Sequence, residues 1–227
     1  MKKYAIIVAG GKGMRMGAAL PKQYLPIGGK PILMHTLSHF HVHPAGIELI
    51  LVIPGHDMDF WKQLCREHNF TVPHRLVSGG ATRFQSVVNG LDAIDDEDGL
   101  VAIHDGVRPF VTEEMISMGF SKALEAGSAV AVVPMKDSLR KLDGKGGSSY
   151  QNREEYRLVQ TPQTFRLQKI KKAFEVEEIP QFTDDATVYE YQGWEVSLIE
   201  GDLSNIKITT PEDMAYAEWL LAQRNNQ

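Results

Sequence analysis

One cysteine, Cys65, stands in a chain of 227 residues. That excludes an intramolecular disulfide, a CxxC redox pair and a cysteine-rich zinc site, and it predicts a reducing compartment. Long apolar runs are missing as well. After Met1-Lys2-Lys3-Tyr4 the apolar residues extend only to Ala9 before glycine sets in, too short for the centre of a signal peptide, and no stretch reaches transmembrane length. The expectation is a cytoplasmic protein with no membrane attachment. Acidic residues are absent from the first 47 positions, where Lys2, Lys3, Lys12, Arg15, Lys22 and Lys30 stand, although the whole chain carries a net charge of −5. An acidic chain is a poor coat for nucleic acid. The local basic excess instead predicts an anion bound near the N-terminal loop.

With 43% hydrophobic and 23% charged residues the composition is globular and too apolar for disorder. The length fits one large α/β domain, 1–227. Apolar stretches at 4–9, 48–53, 100–103 and 129–133 read as buried strands. Stretches of helical period at 31–42, 57–68, 83–94 and 112–126 alternate with them. Strict alternation predicts a mostly parallel, doubly wound, Rossmann-like sheet with its chemistry at the carboxyl ends of the strands. The pattern breaks at 136–160, where a flexible turn, 143–149, separates two polar stretches, 138–142 and 150–158. This predicts a protruding β-hairpin arm. An arm with no core of its own is marginal in water and calls for a second subunit to pack on, so 136–160 is the expected homodimer contact. The last helix is expected to start at Thr210-Pro211-Glu212-Asp213, with a capping hydroxyl and proline at its first position.

The first strand runs into Gly10-Gly11-Lys12-Gly13-Met14-Arg15-Met16-Gly17 and then Pro21-Lys22-Gln23-Tyr24. Backbone N–H groups of a glycine loop approach phosphate oxygens closely because no Cβ intervenes. The spacing fits neither the dinucleotide fingerprint nor the P-loop. Arg15 and Lys22 flank the loop and are placed to neutralise a triphosphate and the charge that develops during attack at its α-phosphorus. Read alone, they are also ordinary solvated cations in a glycine turn.

The run A-G-G-x-G-x-R-M-G followed by P-K-Q resembles the nucleotidyltransferases that make activated sugars and sugar alcohols, specifically the cytidylyltransferases. Three later stretches extend the match over nearly the whole chain: His104-Asp105-Gly106-Val107-Arg108-Pro109, Thr161-Pro162-Gln163-Thr164-Phe165, and the run from Asn205 through Lys207 to Asp213. The best resemblance is to the 2-C-methyl-D-erythritol 4-phosphate cytidylyltransferase family of non-mevalonate isoprenoid biosynthesis. It implies transfer of a cytidylyl group from CTP to a sugar-alcohol phosphate with release of pyrophosphate. Two alternatives stay open: a ribitol-5-phosphate cytidylyltransferase making CDP-ribitol, and a nucleotide-binding regulator that has lost turnover.

The resemblance assigns roles residue by residue. Ala9, Gly10, Gly11 and Gly13 would hold CTP with Arg15, Lys22, Asp105 and Gly106, and the loop carrying Gly80 and Ala81, followed by Ser86, would read the base. Many relatives carry an acidic residue where Ala81 stands, which leaves one contact to the base or ribose in doubt. Arg108, Thr161, Thr183 and Lys207 would hold the acceptor together with Asp105. Ser138, where threonine is usual, and Arg153 would reach the partner's acceptor from the arm. Asp105 would also bind Mg²⁺, an ion that needs only one or two protein carboxylates. Arg15, Lys22, Asp105 and Lys207 form the catalytic set.

Without the resemblance, Asp105 could be a turn cap, Thr183 a helix N-cap and Lys207 a surface lysine on an edge strand. The attacking phosphate oxygen of a monoester is already anionic, with a second pKa of about 6, so no general base is needed. His35 and His39 share a helix face, but no glutamate follows His35 as H-E-x-x-H requires. They read as a polar helix face. Trp61, Trp194 and Trp219 read as packing residues.

Overall fold

The computed structural model describes residues 1–11 and 20–225. β1 (Lys3–Val8) is followed by a short pair, β2 (Pro26–Ile27) and β3 (Lys30–Pro31), and by α1 (Ile32–His41). Then come β4 (Glu48–Ile53), α2 (Met58–Glu67), β5 (Arg75–Ser78), α3 (Arg83–Asp92), β6 (Leu100–Asp105), α4 (Glu113–Ala126) and β7 (Ser128–Pro134). The rest is β8 (Leu139–Leu142), β9 (Ser148–Gln151), β10 (Arg157–Arg166), α5 (Leu167–Ala173), α6 (Asp185–Glu190), β11 (Leu198–Glu200) and α7 (Pro211–Asn225).

Seven strands form one sheet in the order β11-β7-β10-β6-β1-β4-β5. All neighbours are parallel except β10, which runs antiparallel to both β6 and β7. Because side chains alternate across a strand, Ala5 and Ile7 of β1 join Leu49 and Leu51 of β4 in one core, while Ile6 and Val8 join Ile50 and Val52 in the other. Helices α1, α2 and α4 cover the first core, and α3, α5 and α6 the second. The connection from β1 to β4 thus lies on one face and that from β5 to β6 on the other. The carboxyl ends of β1 and β6 meet where the winding reverses, which is where such sheets bind ligands.

A third, smaller core seats α7: Ala217 and Leu220 pack with Ile27, Val107 and Phe110. The start of α7 follows its sequence signal. Asp213 accepts from the backbone N–H groups of Thr209 and Thr210, and its own N–H donates to Thr210 Oγ1.

Two expectations need correction, and two of the alternative readings fall. The expected hairpin arm is present as β8 and β9, but of the polar stretch 150–158 only Tyr150 and Gln151 belong to it. Only Ser148–Gln151 pairs with β8, and the chain from Arg157 onward enters the main sheet as β10. Hydropathy missed this strand because Gln160, Thr161 and Gln163 are buried with hydrogen-bonded side chains rather than by apolarity. The cap of α6 is Asp184, whose carboxylate accepts from Thr187 N–H in a reciprocal capping box, so Thr183 is not the cap. Lys207 lies outside any strand. Trp219 is 54% exposed and stacks on Tyr216, also exposed, instead of packing inside, whereas Trp61 is buried.

Candidate active site

β6 delivers Asp105 to the reversal point as its last residue, buried and paired in register with Val8 of β1. Its backbone is fixed by a relay of three groups. Asp105 N–H donates to Thr161 Oγ1 at 3.0 Å, and Thr161 Oγ1 lies 3.1 Å from His104 Nδ1. His104 Nε2 in turn meets the Arg108 carbonyl at 3.1 Å. Burial takes His104 down to about 4. The ring is therefore neutral at physiological pH, with Nε2–H donating to the carbonyl and Nδ1 accepting from the threonine.

Three cations surround the Asp105 carboxylate. Lys207 Nζ lies 2.8 Å from Oδ2, Arg108 Nε 3.6 Å from the same oxygen, and Arg83 Nε 3.6 Å from Oδ1. Burial pushes the carboxyl up, but Arg83, Lys207 and Arg108 together hold it well below the ordinary carboxylate range. It is therefore ionised at physiological pH.

Lys207 reaches this point because the segment around it is pinned. Asn205 donates from Nδ2 to the Thr161 carbonyl at 2.8 Å and accepts Arg108 through its own carbonyl at 2.8 Å. Ile208 N–H donates to the Val107 carbonyl at 3.0 Å. Thr161 sits where the β10–β7 register shifts, between Val159 and Gln163, a break of the kind that re-aims side chains beside active sites.

Two adjoining cavities share Asp105, Lys207 and Arg83. The first, of about 260 Å³, is lined by Ala9, Gly10 and Gly11 after β1, by Lys22, by Gly80, Ala81 and Ser86 before and within α3, and by Asp105 and Lys207. The second, of about 240 Å³, is lined by Arg108, Thr161 and Thr183 together with Asp105 and Lys207. Most of the residues expected at the nucleotide and acceptor positions therefore fall into two groups that meet at one carboxylate.

Gly106 is an exception, since it packs rather than lines. A Cβ there would lie 2.8 Å from Ala9 Cβ and 2.9 Å from Leu33 Cδ1, so glycine lets the turn after β6 close against the end of β1. Gly80 is equally constrained, with a Cβ falling 2.3 Å from Gln85 Cβ. The N–H groups of Gly80 and Ala81 are taken by Ser86 Oγ and Gln85 Oε1 within the same turn. Reading a base through those N–H groups would require these bonds to exchange.

Gly13 and Arg15 lie outside the described residues. Ser138 and Arg153 line neither cavity; Arg153 donates to the Lys136 carbonyl at 2.5 Å within the arm. Among the described residues no group of three or more His, Cys, Asp or Glu side chains is placed to hold a metal. His35 Nε2 is bonded to the Ile27 carbonyl at 3.0 Å, in keeping with a polar helix face.

Several residues with no assigned role in the sequence prove central: Arg83, Asp185, Gln163, Asn205 and His104. Arg83 makes a two-pronged pair with Asp185, at 2.7 Å on each prong, and Asp185 is fully buried. One signal was legible. A cation at the first position of a helix opposes the helix dipole, which hints at a carboxylate partner without saying which one.

Comparison with known proteins agrees with this geometry. The family model described as "IspD: 2-C-methyl-D-erythritol 4-phosphate cytidylyltransferase" matches residues 4–223. A protein of that name from Bacteroides thetaiotaomicron is 52% identical over 221 residues, covering 97% of this chain and all of the relative. One from Geobacter metallireducens is 41% identical, covering 99% of each chain. Among solved structures, 4-diphosphocytidyl-2C-methyl-D-erythritol synthase from Anaerococcus prevotii superposes with a TM-score of 0.83 at 31% identity, covering 97% of this chain and 96% of that one. The cytidylyltransferase from Thermus thermophilus gives 0.78 at 31% identity, covering 98% and 100%. With a sheet of the same architecture and a full-length family match, the chain belongs to the 2-C-methyl-D-erythritol 4-phosphate cytidylyltransferase family.

Proposed function

We propose that this enzyme transfers the cytidylyl group of CTP to the phosphate of 2-C-methyl-D-erythritol 4-phosphate, with the first cavity holding CTP and the second the acceptor. An acceptor phosphate oxygen forms a bond to the α-phosphorus of CTP. The bond from that phosphorus to the β-phosphate oxygen breaks, and pyrophosphate leaves with the electron pair. No proton has to move, because the attacking oxygen is already anionic.

The chain's own task is to hold two polyanions in line and to stabilise the charge that gathers between them. Lys22 and Arg15 neutralise the triphosphate, and Lys207, set between the cavities, serves the α-phosphate and the acceptor at once. Arg108 and Thr183 hold the acceptor phosphate. The observation that carries this reading is the convergence of Lys207, Arg108 and Arg83 on Asp105 at the boundary of the two cavities.

Asp105 is the single carboxylate among the described residues lining the first cavity, which fits Mg²⁺, an ion that fills its coordination shell from phosphate and water. A bound Mg²⁺ would offset triphosphate charge. The arm supports a homodimer: Leu142 is 77% and Tyr150 68% exposed on a two-stranded hairpin that has no core of its own. In such a dimer Ser138 and Arg153 reach the partner's acceptor cavity. A cytoplasmic location fits the single cysteine, and no helix among the described residues is long and apolar enough to cross a membrane. No observation favours the ribitol acceptor or a regulator without turnover.

Pyrophosphate release tests the reading. Protein, Mg²⁺ and CTP should release pyrophosphate with 2-C-methyl-D-erythritol 4-phosphate and far more slowly with ribitol 5-phosphate. Equal or reversed rates would reject the acceptor, and no release with either would reject the enzyme.

A further inference from the structure

Arg83 lines both cavities, and its charge meets carboxylates on two different elements. It opens α3, immediately after the loop Gly79-Gly80-Ala81-Thr82, and Thr82 caps that helix through Gln85 N–H. Its guanidinium grips Asp185, the first residue of α6, with two bonds of 2.7 Å, and its Nε faces Asp105 at 3.6 Å. Asp185 follows directly on Thr183 and Asp184, which line the second cavity. The N-terminus of α6 is itself tied to β10, because Gln163 donates to Asp184 Oδ2 at 2.9 Å and accepts from Ala186 N–H at 2.8 Å. A planar guanidinium with a fork and a separate Nε can make both contacts at once, and a lysine ammonium cannot.

We propose that Arg83 is a positioning residue that couples the two subsites, linking the nucleotide loop before α3 to the acceptor loop before α6 and fixing the Asp105 carboxylate between them. This rests on the assignment of the first cavity to CTP and the second to the acceptor. A nucleotide that orders the loop 79–82 would brace Arg83, and Arg83 would brace Asp185 and Thr183 for the incoming acceptor. The acceptor then binds more tightly to the nucleotide-loaded protein than to the free protein, despite the like charge of the two ligands.

The test uses the full chain with α,β-methylene-CTP, which cannot release pyrophosphate, and 2-C-methyl-D-erythritol 4-phosphate, titrated separately and together by calorimetry. In the native protein the analogue should tighten acceptor binding about tenfold, within the ordinary range of coupling between sites. Two variants separate coupling from folding. R83Q/D185N removes both charges of the buried pair and leaves no orphaned ion. R83K keeps the charge but cannot serve Asp185 and Asp105 together. In both, the coupling should fall to about one, whatever the change in affinity for the analogue alone. In turnover, KM for the acceptor should rise with a smaller change in kcat. Should the variants weaken both ligands by one common factor with coupling intact, or leave the acceptor untouched, the inference fails. If R83Q/D185N does not fold, R83K alone decides between these outcomes. Absence of turnover by the native protein would overturn the functional reading instead, which is a separate result.

Discussion

Lys207 Nζ lies 2.8 Å from Asp105 Oδ2, joining the segment that leads into the last helix to the end of a central strand. The Asp105 carboxylate is buried and needs positive charge beside it, whereas Lys207 is 43% exposed in its side chain and faces both cavities.

The first prediction follows from that arrangement. Lys207→Met removes a cation placed where charge gathers in the transition state, and kcat should fall by about 10²–10³, the usual loss of one such electrostatic contact. Steady-state kinetics with CTP and the acceptor, with circular dichroism to confirm the fold, checks it. A change confined to KM would mean that Lys207 only binds.

A second prediction concerns the arm. If Arg153 serves the partner's acceptor, two inactive variants, Lys207→Met and Arg153→Ala, should complement one another after mixing and subunit exchange. Random pairing puts half the dimers in mixed form with one intact site each, so activity should recover to about a quarter of native. No recovery would place both residues in the same subunit's site.

Packing of the turn after β6 gives a third. Gly106→Ala should lower stability by about 1–3 kcal/mol, the ordinary range for an overpacked core site. The added methyl would sit 2.8 Å from Ala9 Cβ and 2.9 Å from Leu33 Cδ1, and one of them must shift. Urea denaturation measures the loss, and an unchanged midpoint would show that the turn relaxes freely.

The buried histidines give a fourth. Burial lowers both His104 and His39 to about 4, well under their unfolded value of about 6.5. Their folded pKa values being depressed, each is neutral in the folded protein and charged in the unfolded chain between those limits, so unfolding takes up protons there. Stability should therefore fall as pH is lowered from about 6.5 toward 4. His39→Asn should flatten that slope in a series of thermal melts. Asp105, ionised throughout, adds nothing to this window. The acid limb of activity should instead follow the second pKa of the acceptor phosphate, about 6.

How much of this was legible in the sequence depended on the physical origin of each signal. β4 matches its expected limits, and α1 to α4 fall within two residues of theirs, because each of these elements carries a clear apolar period. β10 was lost because its inward groups are amides and hydroxyls satisfied by His104, Asp184 and Asp202, a partnership that no hydropathy pattern records. Lys22 was readable from the glycine loop that follows β1, and Asp105, at the end of β6, took its role from the family resemblance. Lys207 was reached only through family resemblance, since its placement depends on Asn205 and Ile208 docking on residues 107–108. Arg83 and Asp185 went unassigned because each gains meaning only from the other across the fold.

The most direct test of a cytidylyl transfer built on these converging cations is ³¹P NMR of one reaction mixture of protein, Mg²⁺, CTP and 2-C-methyl-D-erythritol 4-phosphate. The expected spectrum shows a new diphosphate diester, the CDP-alcohol, growing in equal amount with pyrophosphate while the acceptor monoester disappears. Pyrophosphate accompanied by CMP, with the acceptor unchanged, would mean that water rather than the bound phosphate is the nucleophile, and would contradict the assignment of the second cavity.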